Sequence, residues 1–314
     1  MQNLNERAAE LCEVVARRHR ELRAEIHYVA GATVIDLGVK AQGGLRAGLA
    51  LADICLAGLA HIELIPADPA VWHGPAVCVY TDHPVSACLA SQYAGWQIAV
   101  GKYFAMGSGP MRALAAKEDL LQDLSLRETA DTAIGVLETS KLPPADVIEH
   151  LARECGVAPD RLTLLAARTA SQAGTVQVVA RSVETALHKL HELKFDLGRI
   201  ESGWGLAPLP PPAADDLAGI GRTNDAILYG SRVTLWVRGD DDSLKQIGPQ
   251  VPSNSSPDHG EPFAEIFRRA SHDFYKIDPL LFSPAVVSLA NLDTGNTFSF
   301  GRLLPNVIER SFRC

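Results

Sequence analysis

Arg181 and Glu184, three positions apart in the run ARSVET, are the residues whose types and spacing best suit acid–base chemistry. On a helix, positions i and i+3 are neighbours, so guanidinium and carboxylate can touch. A carboxylate can take a proton from water, and an adjacent guanidinium can orient it through charge-assisted hydrogen bonds. The same spacing also describes a surface ion pair worth under about 1 kcal/mol. Periodicity leaves both readings open, because a cleft-facing stripe and a solvent-facing stripe look alike.

Other chemistries find less support. His188 and His191 form H-x-x-H at a spacing that puts both on one helix face, but no third metal ligand lies nearby in sequence. The cysteines, Cys12, Cys55, Cys78, Cys88, Cys155 and Cys314, are scattered without a C-x-x-C pair. They read as small core residues rather than as metal ligands or disulfides. Gly101-Lys102 is followed by Tyr103, so there is no Walker A motif. Gly107 and Gly109 make a G-x-G, but the third glycine of the dinucleotide fingerprint would fall at Arg112. The two glycines around Ser108 either present amides to an anion or simply make a tight turn. No G-x-S-x-G elbow appears.

The Arg181/Glu184 pair needs an element to carry it. The spacing predicts one long helix from about Val176 to Leu193, with Val179, Val183, Ala186, Leu187, Leu190 and Leu193 on its apolar side. Arg181, Glu184, His188 and His191 gather on the other side. Leu4 to about Ile26 reads as an amphipathic helix, and LRAGLALADICLAGLA after Gly43-Gly44 as an apolar one. Strands are expected at ATVIDLGV, HIELIPA, AVCVYTD, TAIGVLETS and RLTLLAA. Pro143-Pro144 opens a helix that Gly156 ends. The Pro- and Gly-rich stretch Gly203–Gly221 reads as a linker or ordered loop. AILYGSRVTLWVRG then reads as a hairpin or one long strand, FAEIFRRASHDFY as a helix, and AVVSLAN and NTFSFG as strands. Strands mixed with helices throughout mean α/β or α+β. The composition shift suggests an N-terminal domain over 1–200, carrying the Arg181/Glu184 helix, and a C-terminal domain over 201–314.

Composition narrows the partners. The chain has 314 residues, a formal net charge of −8 and 47% hydrophobic residues, enough to bury a core. A mildly acidic chain lacks the basic footprint for a nucleic-acid backbone or a membrane surface. No run is apolar enough to span a bilayer, and MQNLNERAAE carries charge where a signal peptide needs an apolar core. A cytoplasmic protein is expected.

Six stretches carry a resemblance. They are GVKAQGGLRAG (Gly38–Gly48), AMGSGPMRAL (Ala105–Leu114), GTVQVVARSVETALHKL (Gly174–Leu190), ESGWGLAPLPP (Glu201–Pro211), GRTNDAILYG (Gly221–Gly230) and FYKIDPLLFSPA (Phe274–Ala285). With these, at this spacing over nearly the whole chain, the sequence resembles the methenyltetrahydromethanopterin cyclohydrolases of methanogens and methylotrophic bacteria. The resemblance implies two α/β domains with a substrate pocket between them, a homotrimer, and catalysis without a metal or other prosthetic group. It implies reversible hydrolysis of the 5,10-methenyl-tetrahydromethanopterin cation to the 5-formyl form, in one-carbon metabolism. It matches the family's catalytic arginine and glutamate to Arg181 and Glu184, and so favours the active-site reading of the pair.

Glu184 would then be the base for the attacking water, with Arg181 orienting it. Softer expectations attach to other positions. Gly107, Ser108 and Gly109 would hold a polar edge of the pterin ring or a phosphate in its tail. Lys40, Arg112, Arg222 and Lys276 would face the tail's negative charges. Asn224 and Asp225 would bind the guanidine-like edge of the pterin. A structural role stands beside each of these. The competing functions are a pterin- or dinucleotide-dependent reductase, disfavoured by Arg112 in the fingerprint, and a non-catalytic pterin-binding protein, disfavoured by the retained pair.

Overall fold

The computed structural model describes residues 3–271, 273 and 276–313. Positions 272, 274 and 275, within the expected helix FAEIFRRASHDFY and the stretch FYKIDPLLFSPA, lie outside the described residues, as does Cys314. The chain divides into two compact units, each built on a six-stranded sheet: residues 1–60 with 86–177, and residues 61–85 with 178–314. This differs from the division expected at residue 200. The reason is strand pairing at long range. The strand that crosses residue 200 pairs with one at residues 75–81, so an early segment of chain belongs to the second unit. The helix of Arg181 and Glu184 belongs there too.

The first unit holds strands β1 (Glu25–Val29), β2 (Ala32–Gly38), β5 (Trp96–Val100), β6 (Tyr103–Ser108), β7 (Ala133–Glu138) and β8 (Leu162–Ala167). Their order is β1-β2-β8-β7-β6-β5. β2, β8 and β7 run parallel, and the outer strands are antiparallel to their neighbours. The parallel strands are covered on both faces, which explains their nearly continuous apolar runs. Ile35, Leu37, Ile134, Val136, Leu165 and Ala167 pack with the helices α1 (Leu4–Arg17) and α2 (Leu45–Cys55). Val34, Leu137, Leu164 and Ala166 face the other way, against α5 (Ala145–Cys155) and the short helix α3 (Met111–Ala115). α5 begins after Pro144 and ends at Gly156 with φ +70°, as Pro and Gly at those positions dictate. The expected first helix is shorter than its periodicity suggested. α1 stops at Arg17, and residues 25–29 become β1 by pairing with β2.

The second unit holds β3 (His61–Pro66), β4 (Pro75–Thr81), β9 (Ile200–Pro208), β10 (Arg232–Val237), β11 (Val286–Asn291) and β12 (Thr297–Gly301), in the order β12-β11-β10-β9-β4-β3. Only the β10–β11 pair is parallel. Burial alternates along β10 and β11, the pattern of a sheet buried on one face. The helices α7 (Ser182–Glu192) and α8 (Asp216–Gly230) pack on β9. Two expectations are corrected here. Residues 203–208 are a central strand rather than a linker, with prolines confined to its end. Residues 226–230 finish α8 instead of forming a strand, and only β10 is extended. Asp215 starts α8 by accepting the Ala218 N–H at 2.9 Å. Among the described residues no helix is long and apolar enough to cross a membrane.

Candidate active site

The helix expected over 176–193 is interrupted where the chemistry was expected. α6 (Gln172–Val179) ends, and α7 begins at Ser182 with Arg181 as its N-cap, at φ −89° and ψ 10°. Glu184 is therefore the third residue of a new helix, in its first turn. The first N–H groups of a helix have no intrahelical acceptors, and the positive end of its dipole favours an anion there. Arg181 is 7% exposed and Glu184 4%. That removes the surface ion-pair reading. Two buried charged side chains carry a desolvation cost that a surface pair does not.

The glycines of β9 explain how this turn is held. Gly203 and Gly205 alternate with Trp204, so both face the same side of the sheet. A Cβ on Gly203 would lie 2.7 Å from Val183 Cγ1, and one on Gly205 2.3 Å from Ser182 Oγ. The missing side chains let the turn between Arg181 and Glu184 sit directly on the strand. Farther along α7, Ala186, Leu187 and Leu190 are fully buried. Lys189 is buried as well, and its ammonium donates to Ser255 Oγ at 2.9 Å and to the Leu280 carbonyl. Burial lowers the Lys189 pKa to about 8, partly offset by the charge of Asp278. His188 stands 3.8 Å from Glu192 on the same helix. Among the described residues, no group of three or more His, Cys, Asp or Glu side chains stands together as a metal would require.

The other expected site residues are scattered, and several have structural partners. In the first unit, Lys40 is exposed on a loop folded around Asp36. The fully buried Asp36 carboxylate accepts the N–H groups of Gly38, Val39, Lys40 and Ala41 at 2.7–3.0 Å. Gly107 lies in β6, paired with Trp96 and Leu137, and Gly109 follows the end of that strand. Gly109 has φ +85°, and its N–H donates to the Ser91 carbonyl at 2.8 Å. Ser108 is 1% exposed, with Oγ 3.4 Å from both Cys55 Sγ and the Val136 carbonyl. Arg112 is also 1% exposed. Its guanidinium forks onto Glu118, donates to the Leu89 and Ser91 carbonyls, and stacks over Tyr93. Arg112 is thus engaged by internal partners, a distinction between cleft and core that sequence cannot make.

In the second unit, Arg222 donates to the Pro211 and Pro212 carbonyls, and Asn224 to the Ile220 carbonyl one turn back. Asp225 is fully buried and accepts the Phe263 N–H at 2.8 Å. Burial drives its pKa up to about 7, against hydrogen bonds from Ser311 and Phe263. It holds α8 to the start of α10 (Phe263–Arg269). Lys276 is exposed and pairs loosely with Asp273 at 3.6 Å.

Two residues escaped the sequence reading. Glu138 ends β7, and Thr169 follows β8; the Thr169 hydroxyl donates to Glu138 Oε1. The runs LETS and ARTA at the ends of two apolar segments were the available signal. Their adjacency required knowing that β7 and β8 pair.

The sequence matches the family described as Cyclohydrolase (MCH) over residues 3–312. It is similar to the methenyltetrahydromethanopterin cyclohydrolase of Rhodopirellula baltica, at 54% identity over 289 residues, covering 90% of this chain and 87% of that one. Against the enzyme of that name from Methylobacterium sp. (strain 4-46), identity is 45% over 315 residues, covering 99% and 97% of the two chains. Against that of Methanosarcina barkeri it is 41% over 316 residues, covering 99% and 98%. A buried arginine and glutamate opening one helix, glycines that seat that helix, and relatives matched from end to end agree with one another: this chain belongs to the cyclohydrolase (MCH) family.

Proposed function

We propose that the protein hydrolyses the 5,10-methenyl-tetrahydromethanopterin cation reversibly to 5-formyl-tetrahydromethanopterin. The observation that carries this reading is the burial of Arg181 and Glu184 together at the start of α7, in a chain of this family. The methenyl carbon lies between two nitrogens in a delocalised cation and is already electrophilic. What the protein must supply is a positioned water and a base.

Glu184 takes a proton from the water as its oxygen bonds to the methenyl carbon. Its negative charge also favours the cationic substrate at that point. Arg181 holds the carboxylate and donates to the oxygen as it develops carbonyl character. The adduct then loses one C–N bond. Protonated Glu184 returns its proton to the departing nitrogen, and the hydroxyl proton leaves to solvent, so one water is consumed and one proton released. The family resemblance supports a homotrimer that works in the cytoplasm without a metal or cofactor.

Loss of the methenyl absorbance on mixing substrate with protein tests the activity. Glu184→Gln should reduce turnover by roughly 10²–10⁴, the usual worth of a general base, while leaving substrate binding largely intact. Near-normal turnover in that variant would remove Glu184 from the role.

A further inference from the structure

Arg181 and Glu184 stand at one end of α7, so their placement depends on how that helix is fixed along and around its own axis. Its apolar side fixes it incompletely. Ala186, Leu187 and Leu190 are fully buried, and apolar contacts of this kind are non-directional. They resist lifting of the helix off the sheet more than they resist a slide or a twist by a fraction of an ångström.

Lys189 supplies directional bonds on that helix. It comes five residues after Glu184, about 7.5 Å farther along the axis and about 140° around it. It comes seven residues after Ser182, close to two full turns, and so shares the side on which Ser182 meets Gly205. Glu184 and Lys189 therefore face different sides of α7, and one acts on the other through the helix.

The acceptors of the Lys189 ammonium lie outside α7. Ser255 Oγ, at 2.9 Å, ends the short turn Ser253–Ser255, and the Leu280 carbonyl belongs to the short turn Pro279–Leu281. These turns are tied to each other. The Ser256 hydroxyl donates to Asp278 Oδ2 at 2.6 Å, and Asp278 Oδ1 accepts the Leu280 N–H at 3.1 Å. They are also tied to the unit's core. The Ser253 hydroxyl donates to the Leu228 carbonyl of α8 at 2.6 Å, and its N–H to the Pro284 carbonyl at 3.0 Å. Ser253 and Leu281 are fully buried. The ammonium thus meets a fixed abutment.

A buried cation makes this alignment steep. Lys189 is itself buried. Taking an ammonium out of water costs free energy that only well-placed acceptors return, and an apolar side chain would pack there without that cost. A slide or twist of α7 that breaks these bonds leaves the charge buried without them, whereas the apolar contacts beside it change little.

We propose that Lys189 is a positioning residue that sets α7 along and around its axis, and through it the place of Glu184 against the attacked carbon. The proposal rests on the hydrolysis described in the preceding section. A role in packing alone requires that an uncharged side chain of similar length serve equally well.

The test compares wild type, Lys189→Met, Glu184→Gln and the double variant as full-length proteins, by methenyl absorbance and by thermal unfolding at neutral pH. Methionine fills similar space without the charge, so the melting temperature of Lys189→Met should stay within about 3 °C of wild type. Its kcat should fall by about tenfold, the cost of a shift well under about 1 Å at the base, with KM within about twofold of wild type. In the Glu184→Gln background the same substitution should change residual turnover by less than about twofold, because the base it positions is already gone. Wild-type kcat in folded Lys189→Met overturns the proposal, and so does an equal loss with and without Glu184. If Lys189→Met fails to fold by circular dichroism or melts well below wild type, Ser255→Ala removes one acceptor at an exposed position. It should lower kcat by about threefold, half of the same free energy, at unchanged melting temperature, and unchanged kcat there overturns the proposal. If wild type converts the methenyl substrate and these variants match its rate, only the role of Lys189 is lost. If wild type does not convert it, the proposed function and this role fall together.

Discussion

Gly205→Ala puts a single methyl where α7 rests on β9. The new carbon would lie 2.3 Å from Ser182 Oγ, 3.0 Å from Val183 Cγ2 and 3.2 Å from Ser182 Cβ. Ordinary carbon contacts sit near 3.5–4.0 Å. Rotating Ser182 moves only its hydroxyl and leaves the other two contacts short. Val183 cannot turn away freely, because a β-branched side chain in a helix has one strongly preferred rotamer. The start of α7 must therefore move by several tenths of an ångström to about 1 Å.

Overpacking of this kind costs about 1–3 kcal/mol. Restricting the unfolded chain returns roughly 0.4–1 kcal/mol. The net loss should be about 1–2 kcal/mol, a melting temperature lower by roughly 2–6 °C. The moved turn carries Arg181 and Glu184, and misplacement by about 1 Å can cost a hundredfold in rate. Turnover followed by methenyl absorbance should therefore fall by about 10- to 100-fold, more than the stability loss alone would produce in protein that remains folded. Ser182→Ala in the same chain removes the nearest atom and should recover part of both losses, a coupling that independent sites would not show. Wild-type melting temperature and turnover in Gly205→Ala would refute this account of how the turn is held.

Three further outcomes test the assignments around the site. The Asp225 pKa is raised by burial from 3.8 to about 7, so its contribution to stability is present below pH 4 and is lost as pH rises through about 7. Asp225→Asn keeps an acceptor for the Phe263 N–H and should abolish that decline, worth up to about 4 kcal/mol, with activity retained; an unchanged pH–stability curve from chemical denaturation would contradict it. For Lys189 the sign is reversed. Its pKa is lowered from 10.5 to about 8, so stability should rise between about pH 8 and 10.5, by up to about 3 kcal/mol, and Lys189→Met should flatten that rise. Arg112→Lys breaks the buried fork to Glu118 and should cost about 2–4 kcal/mol of stability while KM stays near wild type; a selective rise in KM would restore Arg112 to the substrate.

The sequence alone settled much that depends on local pattern. The apolar runs at ATVIDLGV, TAIGVLETS and RLTLLAA are β2, β7 and β8, because a parallel strand covered on both faces needs apolar residues throughout. Pro144 and Gly156 marked the ends of α5 through their fixed and left-handed dihedrals. Arg181 and Glu184 were legible as candidates from their types and spacing, and the resemblance to a family supplied the reaction.

Tertiary structure decided what depends on long-range pairing. GWGLAP looked like a linker because glycine and proline weaken a strand taken alone, yet β9 is central: neighbours on both sides supply its hydrogen bonds, and α7 needs the space its glycines leave. The break of the helix at Arg181 was invisible to periodicity, since α6 and α7 continue one apolar pattern. Arg112, Asp225 and Glu138 show the same limit from the other side. All three are charged residues next to apolar ones. Only the fold determines that Arg112 and Asp225 are turned onto internal partners, while the Glu138 carboxylate stands at the open ends of parallel strands. A charge next to an apolar run has the same sequence pattern in all three places, and burial is set by what packs over it.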